Sequence, residues 1–293
     1  LANFRGDSIM SSLSTIPQDF QSLWDNAVAP CSEDLKVFCD NVSDAITSSF
    51  LEAKEDRVVL RMSNIGKPSR QLWYETHYPE MNEENRTEYS LMLKFLYGHI
   101  LEELLVLLLK TSGHSVEEQQ KEHDIDGIKG HQDARVDGVL VDFKSSSGRA
   151  FSKFKNHKLV DDDPFGYIGQ MSAYAAANND KEAAFIVIDK QSGEVVVMPL
   201  HDMEMIDPVE RIQELKADLE SDIAPDKCYS AVPDGQSGNL KLSVSCNYCR
   251  FKFDCWEDAN DGKGLRGFKY ANGIRYLTQV RKVPNVEELT PNF

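Results

Sequence analysis

The chain has no apolar run long enough to cross a bilayer. Its most hydrophobic stretch, residues 100–110 (ILEELLVLLLK), carries two glutamates, whereas a spanning helix needs about 20 predominantly apolar residues. No membrane partner and no secretory leader are therefore expected, and the reading is of a cytoplasmic protein, in the host-cell cytoplasm if viral. Positive charge is also scarce: 32 Lys and Arg stand against 48 Asp and Glu, a net charge of −16. That balance excludes a broad basic surface for non-specific adhesion to nucleic acid, but leaves room for a local basic groove. Glycine and proline are few, 17 and 11 of 293 residues, which rules out fibrous and low-complexity classes. There is no internal repeat and no long biased linker between full domains. What remains is an ordinary globular composition with enough apolar residues for a sizeable core. Residues 1–9 precede the first methionine, Met10, and are left out of the fold reading.

Cysteine is the unevenly used residue. Cys31 and Cys39 lie near the start, and Cys228, Cys246, Cys249 and Cys255 fall close together near the end. A disulfide scaffold belongs to small secreted domains, so clustered thiols in a chain of this kind point to metal. CNYCRFKFDC is C-x2-C-x5-C, and a C-x2-C loop presents two thiolates to one ion; Cys228, eighteen residues before Cys246, supplies a fourth sulfur. Four thiolates suit tetrahedral Zn²⁺ or a [4Fe–4S] cluster equally, so ligand count leaves both open. Cys31 and Cys39 read as buried small hydrophobes on a helix.

Helical periodicity fills residues 11–60. After an interruption at Gly66 and Pro68 an aromatic-rich helix begins, and residues 88–111 carry the strongest helical pattern, stopped at Ser112-Gly113. Three strand-like runs follow at roughly 115–123, 128–136 and 139–145, separated by Asp126-Gly127 and Asp137-Gly138, a good hairpin signal. A helix near 163–178, strands AAFIVID and EVVVMPL, and an amphipathic helix near 207–221 complete the pattern. The order predicts an α/β fold with a mixed central sheet flanked by helices. The expected organisation is a helical N-terminal region (1–60), a core (61–225) and a cysteine-rich metal-binding segment packed on it (226–293).

GHQDARVDGVLVDFKS (130–145) holds the chemistry. On a strand, Asp142 and Lys144 face one side and Val141 and Phe143 the other. Asp133 is expected on the neighbouring strand, where cross-strand side chains approach to about 5 Å. Two carboxylates that close repel unless one is protonated or a cation lies between them. Mg²⁺ or Mn²⁺ resolves the conflict, taking carboxylates and a backbone carbonyl such as that of Phe143. A nearby lysine then orients water or steadies a phosphate. A lone D-x-K would more simply be an ion pair on an edge strand; the second aspartate nine residues earlier favours the metal site. Downstream, SSSGRAFSKFKNHK gathers Ser145, Ser146, Ser147, Arg149, Lys153, Lys155 and Lys158 with Phe151 and Phe154. Cations interleaved with aromatics suit a nucleic-acid backbone; a plain exposed loop is the other reading.

Over about residues 60–260 this pattern resembles the PD-(D/E)XK nuclease superfamily, and within it the RecB-like branch that includes phage exonucleases and CRISPR-adaptation nucleases. The resemblance implies a restriction-endonuclease-like core. It implies a further metal ligand four residues after a glycine on the preceding helix, which GHILE places at Glu102, with His99 a rival read as a supporting or surface residue. Glu103 is read as solvated. The resemblance also assigns Gln170 and Tyr174 of QMSAY to the site, and Arg70 and Tyr74 to the substrate groove, although a packed aromatic helix explains Trp73 and Tyr74 as well. Cluster-bearing relatives have a cysteine before that arginine; Pro68-Ser69 stand here instead, which leaves Cys228 to complete the set. The function implied is a Mg²⁺- or Mn²⁺-dependent deoxyribonuclease, an exonuclease of recombination, repair or phage DNA processing, acting on DNA beside a recombination or replication partner. The alternatives are a catalytically idle module that holds DNA ends or a partner, and an endonuclease.

Overall fold

The computed structural model describes residues 12–51, 59–78 and 89–289. The chain divides into two compact units: residues 1–67 with 78–216, and residues 68–77 with 217–293. The short segment 68–77 thus belongs with the C-terminal unit, a departure from the expected boundaries at 60 and 225.

In the first unit α1 (Ile16–Asp25) buries Ile16, Phe20 and Leu23, spaced about one turn apart, as an amphipathic surface helix does. Helix α2 (Ser32–Leu51) buries no residue fully. Cys31 and Cys39 are accordingly exposed, a correction to the expectation of buried small hydrophobes. Helix α3 (Ser69–His77) lies in the second unit. Helix α4 (Tyr89–Thr111) is apolar around much of its girth because α1, α2 and the sheet all pack on it. Gly113, at φ 93°, ends it, in the left-handed position where glycine carries no steric penalty.

The main sheet has the order β1-β4-β5-β6-β7, with β1 (Val116–Glu117), β4 (Ala134–Val136), β5 (Val139–Ser146), β6 (Glu182–Asp189) and β7 (Val195–His201). Only β5 and β6 run parallel, so the sheet is mixed. A parallel pair needs a crossover, and here it holds two helices, α5 (Arg149–Lys155) and α6 (Tyr167–Asn178). Helix α5 departs from the basic-loop reading: Phe151 and Phe154 are buried, 4% and 3% exposed, and fasten it over the sheet. Those rings are therefore core, not platforms for stacked bases.

Two runs expected as continuous strands are each broken in two. Strands β2 (Glu122–Ile125) and β3 (Ile128–His131) form a separate ribbon. Asp126-Gly127 and Asp137-Gly138 close the two hairpins, all four residues at positive φ, the geometry that matches strand twist in two-residue turns. The break after β3 is fixed by Gln132, which is fully buried. Its Oε1 accepts from Asn178 Nδ2 at 2.9 Å and its Nε2 donates to the Glu118 carbonyl at 3.2 Å.

One face of the sheet, with Val139, Val141, Phe143, Ile186 and Ile188, packs against Ile16, Phe20, Leu105 and Leu109. Each such side chain contributes about 1.5–3 kcal/mol on burial. Helix α6 packs on β5 and β6, and its entry depends on glycine. A Cβ on Gly166 would lie 2.1 Å from the carbonyl carbon of Gly66, and Gly166 sits at φ 77°. Helix α7 (Pro208–Glu220) follows, with Pro208–Lys216 in this unit.

The second unit holds an antiparallel sheet of order β12-β10-β11-β9-β8, a sheet not expected from sequence. Its strands are β8 (Val232–Pro233), β9 (Leu240–Lys241), β10 (Arg266–Tyr270), β11 (Gly273–Gln279) and β12 (Glu288–Leu289). Helices α8 (Val244–Tyr248) and α9 (Lys252–Cys255) carry cysteines. Leu242, Cys246, Trp256, Ala259 and Leu265 form one apolar cluster in it, and Phe251, Phe268 and Leu277 are buried as well. Among the described residues no helix is long and apolar enough to cross a membrane.

Candidate active site

Strand β4 pairs with β5 only from Val139 to Val141, while β6 follows β5 to Ser146. Beyond Val141 one edge of β5 is therefore free of β4, and the acids gather there. Asp133 is not on a strand; it lies in the break just before β4. Its Oδ2 accepts from the Phe143 backbone N–H at 2.7 Å, doing the work of the missing ladder partner. Asp142 follows the alternation expected of β5 and is 2% exposed. Helix α4 brings Glu102, whose Oε1 accepts from Gln120 Nε2 at 3.0 Å. Glu103, expected in solvent, is half-buried and accepts from Asn41 Nδ2 at 2.8 Å.

Lys144 emerges on the same side as Asp142, with Nζ 2.5 Å from Asp142 Oδ2. Its ammonium also faces the Tyr167 ring at 4.8 Å and approaches Gln170 Oε1 at 3.5 Å. Gln170 in turn hydrogen-bonds Tyr174, the i,i+4 pairing of one helix face. Tyr174 is 2% exposed, so it is buried behind Gln170 instead of meeting a strand of DNA. Gly130 admits it: a Cβ there would lie 2.8 Å from the Tyr174 hydroxyl.

The electrostatics show how tightly these groups are coupled. Burial, then Asp142 and Glu103, push Glu102 up to about 7. Burial, then Asp142 and Glu102, raise Asp133 well above the usual carboxylate range. Burial raises Asp142 too, against the opposing pull of Lys144. Burial works against the charge on Lys144, yet Asp142 and Asp133 outweigh it and shift its pKa upward. Lys144 is thus a fixed cation near neutral pH, not a base. Tyr174 is pushed up to about 12 by burial and then by Asp142.

The donor set is that of a hard-cation site: three carboxylates, with both oxygens of Asp142 buried, Oδ2 against the Lys144 ammonium and Oδ1 without a hydrogen-bond partner. A buried anion in that condition calls for compensating positive charge, which the Lys144 ammonium supplies at ion-pair distance. As the side chains stand, no group of three or more His, Cys, Asp or Glu among the described residues is arranged to hold a metal ion.

A pocket of about 400 Å³ opens beside Glu102, Lys144 and Ser145, with Lys94, Tyr167 and Lys190 in its lining. His99 lines it as well. Lys94, Tyr167 and Lys190 were not anticipated. Tyr167 carried a signal, since it stands three residues before Gln170, and so did Lys94, four residues before Gly98 and eight before Glu102 on α4; Lys190, just past the end of β6, had none. The other expected nucleic-acid contacts are not gathered around the pocket. Lys153 pairs with Asp162 at 2.8 Å and Lys155 with Glu194 at 2.7 Å, while Arg149 opens α5.

In the second unit Arg70 donates through Nε to Cys255 Sγ at 3.2 Å and through Nη1 to the Pro225 carbonyl. Tyr74 stacks on Phe251, and Trp73 Nε1 donates to the Ser221 carbonyl at 2.7 Å. These partners hold α3 within its own unit, the packed-helix alternative for Trp73 and Tyr74. Cys246 is buried and Cys228, Cys249 and Cys255 half-buried. Burial pushes Cys228 up to about 11, and Cys255, Cys246 and Cys249 add to the rise. The four thiols therefore share one neighbourhood, without forming a metal-ready group as they stand.

No family model and no curated protein matches the chain. Solved structures do. It is similar to SSO0001 at 15% identity, over 73% of this chain and 94% of that one, with a TM-score of 0.39. An alkaline exonuclease from Laribacter hongkongensis matches at 18% identity over 54% and 91%, TM-score 0.32. A phage-related exonuclease from Haemophilus somnus matches at 15% identity over 55% and 93%, TM-score 0.36.

Proposed function

We propose that the chain is a metal-dependent deoxyribonuclease that hydrolyses DNA phosphodiesters, working from ends. The observation that carries the reading is the convergence of half-buried Glu102, Asp133 and Lys144 on buried Asp142 around one short edge of β5, where the acids raise one another's proton affinity. Packing mutually repelling carboxylates together destabilises a fold by several kcal/mol unless a ligand compensates, so their convergence makes sense as a cation site. Glu102, Asp133, Asp142 and the Phe143 carbonyl would hold Mg²⁺ or Mn²⁺, which would activate water and neutralise phosphate charge. Lys144, kept charged by Asp142 and Asp133, steadies negative charge developing on the phosphate. Gln170 limits the swing of the lysine, and Tyr174 positions Gln170 from behind. The end-dependence and the role in recombination, repair or phage DNA processing rest on the sequence resemblance to RecB-like exonucleases. The four clustered cysteines would hold zinc or a [4Fe–4S] cluster as a brace within the second unit.

End-labelled linear DNA and closed circular DNA, incubated with Mg²⁺ or Mn²⁺, test this. The wild type should shorten the linear substrate from an end and spare the circle. Lys144→Ala should slow cleavage roughly 10²–10³-fold while still binding DNA. Nicking of the circle would make the enzyme an endonuclease, and absence of cleavage with either metal would leave a binding module.

A further inference from the structure

Lys94 and Lys190 have no ion-pair or side-chain hydrogen-bond partner among the described residues, and what sets them apart from other unpaired cations of the chain is their place: both are exposed at the lining of the pocket beside Glu102 and Lys144. Aromatic rings accompany them. Phe95, next to Lys94, lines the pocket and is 55% exposed. Phe165, 59% exposed, stacks on Tyr167, with centroids 5.5 Å apart and planes 25° from parallel. Tyr167 also faces the Lys144 ammonium. Phenyl rings left in water beside unpaired ammonium groups form the pairing that single-stranded nucleic acid uses, with phosphates on the cations and bases on the rings. A pocket of about 400 Å³ is at the small end of ligand clefts, with room for a nucleotide or so and none for a duplex.

We infer that Lys94, Lys190, Phe95 and the Phe165–Tyr167 pair seat the unpaired terminal nucleotides of one DNA strand beside the acids. The inference rests on the phosphodiesterase reading of those acids and extends it to a substrate class: ends that are single-stranded or frayed, in preference to blunt duplex. Lys94 and Lys190 bind phosphate and set the salt dependence. Phe95 and Phe165 bind bases, so they discriminate strand from duplex.

The test is fluorescence anisotropy of the full chain with a labelled oligothymidine and with a blunt duplex of equal length, in EDTA, across a salt series. The wild type should bind the single strand more tightly. Lys94→Ala and Lys190→Ala should each weaken binding and lower the salt slope by about one. Phe95→Ala should weaken single-strand binding roughly 5- to 100-fold and leave the slope unchanged. All three side chains are exposed, so folding is not at stake. Equal affinity for strand and duplex, or variants that bind as the wild type does, would overturn the seat. Parallel cleavage assays with Mn²⁺ separate the two ideas. Cleavage that persists while the binding pattern fails removes the seat and leaves the nuclease. The expected binding pattern without wild-type cleavage keeps the seat and removes the nuclease.

Discussion

Glu102 is the residue at which the site's electrostatic strain can be read from pH. Its carboxyl is pushed up to about 7, first by burial and then by Asp142 and Glu103. Between the ordinary carboxylate value and about 7 the folded chain holds a proton there that the unfolded chain has lost. Stability from this group is therefore complete below the unfolded value and disappears as pH rises through about 7. Asp133 and Asp142 shift in the same direction and add to the slope. The Tm of the metal-free wild type should fall as pH is raised from about 4.5 to above 7. Glu102→Gln should flatten part of that decline, since an amide has no proton to lose. Added Mn²⁺ should restore Tm at the upper end for the wild type and much less for the variant. Identical slopes in the two proteins would mean that Glu102 is not strained.

At the level of elements, the placement of α6 governs whether Lys144 is held, because Gln170 and Tyr174 both lie on that helix. Its entry point is the close passage of Gly66 and Gly166, where neither position tolerates a Cβ and Gly166 is left-handed. Gly166→Ala should cost more than about 1–3 kcal/mol, the scale of left-handed strain alone, in chemical denaturation. Cleavage should fall by more than DNA binding does, since the lysine tether moves while the pocket's exposed lysines stay. The sequence announced these elements unevenly. The Asp-Gly turns, the apolar β6 run and the long α4 were legible because local chemistry dictates them. Asp133 was legible as a ligand candidate but not as a residue off the ladder, because the break comes from Gln132 bonding to Asn178, 46 residues away. Helix α5 was hidden by its charges: Phe151 and Phe154 point inward only once β6 and β7 exist to receive them. The sheet of the second unit was illegible because β8, β9 and β12 are two residues long, too short for any alternation to register.

On the scale of the whole molecule, the two units have unequal means of support. The first rests on a large apolar core, whereas the second has far fewer buried hydrophobic side chains, and its cluster around Leu242 and Trp256 includes Cys246. Small cores of this kind are usually stapled by disulfides or metal, and all six cysteines are free. The four sulfurs of the second unit are partly desolvated, and burial raises the proton affinity of Cys228, Cys249 and Cys255. As bare thiolates they would be costly; a zinc ion or an iron–sulfur cluster would turn that cost into stability, because binding free energy is then folding free energy. Protein purified under reducing, oxygen-free conditions should carry stoichiometric zinc, or iron with visible absorbance, by elemental analysis. Stripping the metal should lower the hydrogen-exchange protection of residues 217–289 selectively and leave β5 and β6 protected. Cys249→Ser should reproduce that pattern and lose the metal without abolishing phosphodiester cleavage. Full protection in metal-free protein whose four thiols all react with a thiol reagent would show that apolar packing suffices, and that the cysteines are no brace.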